Sequence, residues 1–275
     1  MKNFDRFYKP AIWSATVLLT TILAACGGSS GGGTRSAGAY PGSPGSPGPV
    51  PNIGTSSTYG VFASSAAVTL AANSVVNGDV GLNPAGACNN CVVGTTVMGG
   101  VIHNGDAQAI QAQTDFNNAY IDASTRTTNA CVLASAELSA AQGSCNGVTP
   151  GPIYGPGLYR LATAIGIGSG LNITLDANGD ANAVFIFQTG AALTTGTNSV
   201  IHLRGSAQAK NVYWVVSSAA TIGVSSTFKG TVLANGAAVN VLGGTILAPT
   251  LVEGRLFSHS AGATVDTYAT VTVPQ

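Results

Sequence analysis

The sequence predicts an all-β protein built from stacked short strands, with a single helix along its side. Three observations carry this prediction. From Gly60 onward, β-rich runs of about four to seven residues alternate with Gly, Asn, Ser and Asp, such as Ala67-Val-Thr-Leu70, Asn172-Ile-Thr-Leu175 and Asn211-Val-Tyr-Trp-Val-Val216. The runs lack hairpin dipeptides between them, and small residues dominate the corners, which favours a solenoid over a sandwich or barrel. One segment breaks this rhythm and carries a helical spacing instead.

The chain begins with an export signal. Lys2, Arg6 and Lys9 precede an apolar run from Ala11 to Leu23, which ends in Leu23-Ala24-Ala25-Cys26. That run is too short for a membrane span and has the order of a signal peptide over residues 1–25. Leu-Ala-Ala-Cys resembles the bacterial lipobox, which makes Cys26 the expected lipidation site and the first mature residue. No Asp follows Cys26. By resemblance to Gram-negative lipoproteins, the expected location is the outer membrane, facing outward.

Residues 26–57 read as a tether. Gly27 to Gly33 is nearly all Gly and Ser, and Pro41-Gly-Ser-Pro-Gly-Ser-Pro-Gly-Pro-Val-Pro51 follows. The first part is flexible and the second is extended. Roughly 30 residues at about 3 Å each would hold the domain some tens of ångströms from a membrane.

Residues 58–275 form the expected strand domain. Repeats such as Thr221-Ile-Gly223, Val239-Asn-Val241 and Ala263-Thr-Val265 each precede a polar turn. Within the domain, a helix is expected over about residues 106–126. Ala109, Ala112, Phe116, Ala119, Tyr120 and Ala123 fall at three- and four-residue spacings, with Asn104 or Asp106 as the cap. The apolar stripe must pack on something, and the side of a solenoid is the natural partner.

Cysteine usage fits an oxidising compartment. Besides Cys26 there are Cys88, Cys91, Cys131 and Cys145, which allow three pairings. Cys88–Cys91 and Cys131–Cys145 are favoured because each pair brackets a loop-like insertion. Cys88-Asn-Asn-Cys91 could serve redox or metal chemistry, but a zinc site wants further ligands and only His103 is near. Structural staples are the expectation, with no metal and no cofactor.

Charge excludes several functions. Lys plus Arg and Asp plus Glu both number 10, and charged residues are 7% of the chain. No basic stripe exists for nucleic acid. A mean hydropathy of +0.32 supplies enough apolar material for a packed core. The acids are scattered and the three His lack an adjacent Asp or Ser at a recognisable elbow. Catalysis is not expected.

From about Tyr59 to Pro274 the chain resembles the ice-binding protein family of the DUF3494 type. Val76-Val-Asn-Gly-Asp-Val-Gly-Leu-Asn-Pro84 and the helix segment His103 to Tyr120 carry the resemblance early in the domain. Gly157-Leu-Tyr159, Leu175-Asp-Ala-Asn-Gly-Asp-Ala-Asn-Ala-Val-Phe-Ile-Phe-Gln188, Leu193-Thr-Thr195, Phe228-Lys-Gly-Thr-Val-Leu-Ala234 and Glu253-Gly-Arg255 follow in order. The resemblance implies a right-handed, three-sided, discontinuous β-solenoid whose N- and C-terminal parts stack together. It also implies an ice crystal surface as partner, bound by one flat face of small and Thr-rich positions, and an antifreeze or recrystallisation-inhibiting activity. A monomer is expected.

The resemblance implies ice-contacting positions at Ser74, Thr195, Thr197, Ser225, Thr227, Thr245 and Thr267. Val224, Leu242 and Tyr268 depart from a uniform array, and an insertion follows Thr245 (Ile246 to Thr250). The alternative is a surface adhesin or envelope structural protein that uses the same scaffold without ice.

Overall fold

The computed structural model describes residues 47–145 and 147–275. The signal peptide, Cys26 and most of the tether lie outside the described residues. The strands form one fifteen-stranded and one seven-stranded sheet, and all their pairings are parallel. They fall into three rows, which each turn of chain visits in the same order. The opening turn is typical: Tyr59–Ala63 lies in row A, Val68–Leu70 in row B and Val75–Asn77 in row C. Row B is the seven-stranded sheet. Rows A and C share the larger sheet because two long strands, Thr227–Ala234 and Thr250–Ser258, bend from C into A.

The solenoid is discontinuous. The last turn of chain pairs with the first in all three rows: Thr250–Ser258 with Tyr59–Ala63, Ala263–Val265 with Val68–Leu70, and Ala269–Thr272 with Val75–Asn77. Between the N-terminal turns and the remainder lies helix α1 (Ala107–Thr125).

Strand alternation builds the interior. Every second residue points inward, so parallel in-register strands stack like on like. Tyr159, Phe187 and Trp214 occupy one register line. Their rings stack at 4.9 and 4.5 Å between centroids, and Phe228 continues the column at 5.4 Å. Trp214 is fully buried and donates its indole N–H to the Lys229 carbonyl at 2.9 Å. Two buried tyrosine hydroxyls of this region are also satisfied: Tyr154 donates to Leu138 O and Tyr159 to Gly155 O.

Helix α1 covers the outside of row A. Its stripe is Ala109, Ala112, Phe116, Ala119 and Ala123, with Tyr120 partly buried beside it. These residues meet Phe62, Leu158, Ile186, Tyr213, Leu233 and Phe257, which are outward positions of row A. Of the two candidate caps, Asp106 is the one used, and its carboxylate accepts from Ala109 N–H at 2.8 Å. That bond, followed by the one from His103, holds the Asp106 carboxyl below the ordinary carboxylate range.

The expected tether boundary at residue 57 moves toward the N-terminus. Residues 47–57 pack on α1 rather than spacing the domain away. Arg126 at the end of the helix donates to the carbonyls of Pro47 and Pro49. Ile53 is buried in the helix cluster. Thr55 donates its N–H and its hydroxyl to the Asp115 carboxylate, both at 2.7 Å. Disulfides join Cys88 to Cys91 and Cys131 to Cys145, with Cα separations of 5.5 and 5.4 Å.

Candidate functional site

The three rows differ in what they present. Row A is covered by the helix. Row C presents bulky and charged side chains, including the Lys229–Glu253 and Arg204–Asp176 ion pairs at 2.6 Å and an exposed His202. Row B is the remaining side, and it is open, flat in register and nearly free of charge.

Row B consists of Ile165–Ile167, Leu193–Thr195, Ala220–Ile222, Val239–Val241, Ala263–Val265, Val68–Leu70 and Cys88–Asn89. In the three-residue strands both end residues are buried and the middle one faces out. The pairings align those middle residues in one column: Gly166, Thr194, Thr221, Asn240, Thr264, Thr69 and Asn89. Neighbours along it stand about 4.8 Å apart, the strand-to-strand spacing of any sheet.

Two further columns flank it. Residues just before each strand are Ala192, Ala219, Ala238, Gly262, Ala67 and Ala87, whose carbonyls accept from the next strand over. Residues just after each strand are Gly168, Gly196, Gly223, Leu242, Asp266 and Ala71. Columns lie roughly 6.6 Å apart along the strand. The recurring unit is therefore a small residue, an inward residue, Thr or Asn, an inward residue, and a small residue.

The middle column can order water. Among the described residues the side chains of Thr194, Thr221, Asn240 and Thr264 have no hydrogen-bond partner, and they stand on the outward side of their strands with open donors and acceptors. Thr69 accepts from Asn89 Nδ2 at 3.1 Å. Each Thr offers a methyl and a hydroxyl on a stiff χ1, so their positions are fixed by the backbone. The small flanking columns keep the face from being shaded.

The structure separates the seven positions that the resemblance implies. Thr195 and Ser74 are buried at 3% and 1% exposure. Thr195 Oγ1 accepts from Gly223 N–H at 3.0 Å, and the Ser74 hydroxyl donates to Ala71 O at 2.8 Å. Both are corner fasteners and cannot touch a surface, which corrects their assignment. Thr197, Ser225 and Thr267 lie in the turns between rows B and C, and Thr245 lies in the inserted turn. Ser225 Oγ donates to Ala248 O. Thr227 opens a strand of row C, between Val200 and Leu251. The resemblance brought corner residues together and missed the face beside them. The signal that finds the face is the Ala-Φ-Thr-Φ-Gly pattern, where Φ is an inward apolar residue. It is seen most plainly at Ala219-Ala-Thr-Ile-Gly223.

Among the described residues, no group of three or more His, Cys, Asp or Glu side chains is placed to hold a metal ion. The geometry defines a parallel β-solenoid with a regular, nearly uncharged, Thr-bearing plane on its open side.

Comparison with known proteins assigns the class further. The family model described as Ice-binding-like matches residues 62–271. An ice-binding protein of Nostoc sp. (strain HG1) is 30% identical over 215 residues, covering 78% of this chain and 71% of the relative. The crystal structure of an ice binding protein from an Antarctic biological consortium superposes with a TM-score of 0.69 at 29% identity, covering 82% of this chain and 92% of that one. The DUF3494 domain of Shewanella frigidimarina ice-binding protein 1 gives a TM-score of 0.67 at 27% identity, over 82% and 98%. The chain belongs to the Ice-binding-like family.

Proposed function

We infer that the protein binds ice through row B. The observation that carries this reading is the in-register column Thr194–Thr221–Asn240–Thr264–Thr69 on a plane whose flanking columns carry a single charged residue, Asp266. A regular array of methyls and hydroxyls holds first-layer water in fixed positions, and that layer joins the crystal lattice. No single contact is strong, so affinity comes from the number of sites engaged together. The protein is expected to be retained in a slowly growing ice fraction and to restrain recrystallisation. A folded protein left wholly in the liquid, with crystals coarsening as in buffer, would refute the reading.

We further infer that the chain is exported and anchored by acylation at Cys26, displaying row B from the cell surface. The reading rests on the signal-like residues 1–25 followed by Leu23-Ala24-Ala25-Cys26. Cells expressing the protein and fed a labelled fatty acid are expected to incorporate the label into it, and Cys26→Ala is expected to abolish incorporation. Equal labelling of both forms would place the lipid elsewhere or nowhere.

A further inference from the structure

One place on row B breaks its pattern. In the column that otherwise carries Gly168, Gly196, Gly223, Ala71 and Asp266, one turn of chain carries Leu242. Its N–H bonds to Ile222 O, and Asp266 N–H bonds to Val241 O, so Leu242 sits in register between Gly223 and Asp266. Its side chain is 39% exposed. The chain then makes an extra turn before row C. At the tip of that turn Ile246 is 76% exposed and Leu247 is 93% exposed.

The turn is held on both sides. Thr245 and Ala248 bond reciprocally through their backbones, and Ala248 N–H also donates to Thr245 Oγ1. From the preceding turn of the solenoid, the Ser225 hydroxyl donates to Ala248 O at 2.8 Å. Toward the following turn, Gly244 N–H donates to Thr267 O at 3.0 Å. At its base the Thr250 hydroxyl donates to Leu242 O at 2.8 Å. Two aliphatic side chains are thus presented to solvent on a fastened support. No Asp, Glu, Lys, Arg or His occurs from residue 230 to 252.

Single exposed aliphatics need no explanation, but a pair held out on a fastened turn whose base bonds back to a third exposed aliphatic, Leu242, points to an interaction surface. The adjoining surface is row B, and its proposed partner is ice. Ice carries no charged groups, which matches the charge-free turn, whose nearest charged neighbour along row B is Asp266 beside Leu242. We propose that Leu242, Ile246 and Leu247 form a second, apolar ice contact that extends the plane of row B around its corner. This proposal rests on the ice-binding reading and assigns these residues to the strength of adsorption and the choice of crystal plane.

The test compares the full chain with two variants. Ile246→Ser combined with Leu247→Ser removes the apolar tips at exposed positions, and an unchanged Tm checks the fold. Thr221→Lys blocks row B. Thermal hysteresis and ice-plane labelling with a fluorescent conjugate are read together. The double variant is expected to remain bound to ice, with hysteresis reduced at least about twofold at equal concentration and fewer labelled planes. A double variant equal to or better than the wild type overturns the proposal, because the turn is then neutral or an obstruction. Binding that survives Thr221→Lys but is lost in the double variant would overturn the row B reading and leave the turn as the contact. A wild type that ignores ice overturns both.

Discussion

Lysine at position 221 is expected to abolish ice binding while leaving the fold intact. Thr221 is central in the outward column of row B, paired with Thr194 on one side and Asn240 on the other. A Lys side chain there lifts a four-carbon stem and a strongly hydrated ammonium above a plane otherwise made of small side chains. The charge disorders the water that the array fixes, and the stem holds the crystal off the neighbouring Thr residues. Because the position faces solvent, the folding cost is small, within about 0.5 kcal/mol. The protein concentration needed to restrain recrystallisation is expected to rise more than about tenfold, equivalent to a loss of more than about 1.4 kcal/mol of adsorption. The control is Thr227→Lys. Thr227 lies on row C, two residues before Lys229, and a second Lys there leaves row B untouched. Ice retention by Thr227→Lys and loss by Thr221→Lys would identify the face. The opposite result would move the contact to row C.

Replacing Trp214 with alanine is expected to give a large loss of stability. The indole is fully buried and stacked against Phe187 at 4.5 Å, with Phe228 on its other neighbouring strand at 5.4 Å. Truncation removes that contact from both sides and leaves a cavity between strands held in fixed register. The surrounding backbone cannot close it without disturbing both strand ladders. The Lys229 carbonyl also loses its indole donor. Large aromatic truncations in such sites cost about 3–5 kcal/mol. Denaturant unfolding is the measurement, with a lowered midpoint and an unchanged slope as the expected result. Trp214→Phe should recover much of the loss, because it restores one aromatic ring to the stack while omitting the fused pyrrole ring and its N–H donor. A cost below about 1 kcal/mol for the alanine variant would mean that this column contributes little to the core.

Sequence reasoning reached the scaffold more readily than the contact face, and the reason is geometric. The helix was legible because its stripe, Ala109 through Ala123, repeats over about four turns behind one cap. The solenoid was legible because short runs and small corners recur along the whole domain. At Thr195 the expected position and the proposed row B face differ by a single residue, while the other expected positions fall in the corners and on row C. In Leu193-Thr194-Thr195 the middle Thr faces out and the last is buried, yet both are Thr. A slip of one position in a strand exchanges the two faces. Three-residue strands offer too few alternations to set that phase alone. The stacked neighbours settle it, since Thr221, Asn240 and Thr264 each sit between two inward apolar residues. The tether boundary was missed for a different reason. Pro47 and Pro49 are held by Arg126, 79 and 77 residues away, and no local pattern announces that contact.

The splice between the last turn of chain and the first has a consequence for biogenesis. Tyr59–Ala63, Val68–Leu70 and Val75–Asn77 have no sheet neighbour on one edge until residues 250–272 have arrived. During synthesis, the N-terminal turns therefore wait, with that edge open, for nearly the whole of the chain to be made. Pairings this distant in sequence close slowly. The interval is one in which open edges invite pairing with other chains. Folding of the finished plane is thus a late event, and chains cut short near their C-terminus would lose their N-terminal turns as well.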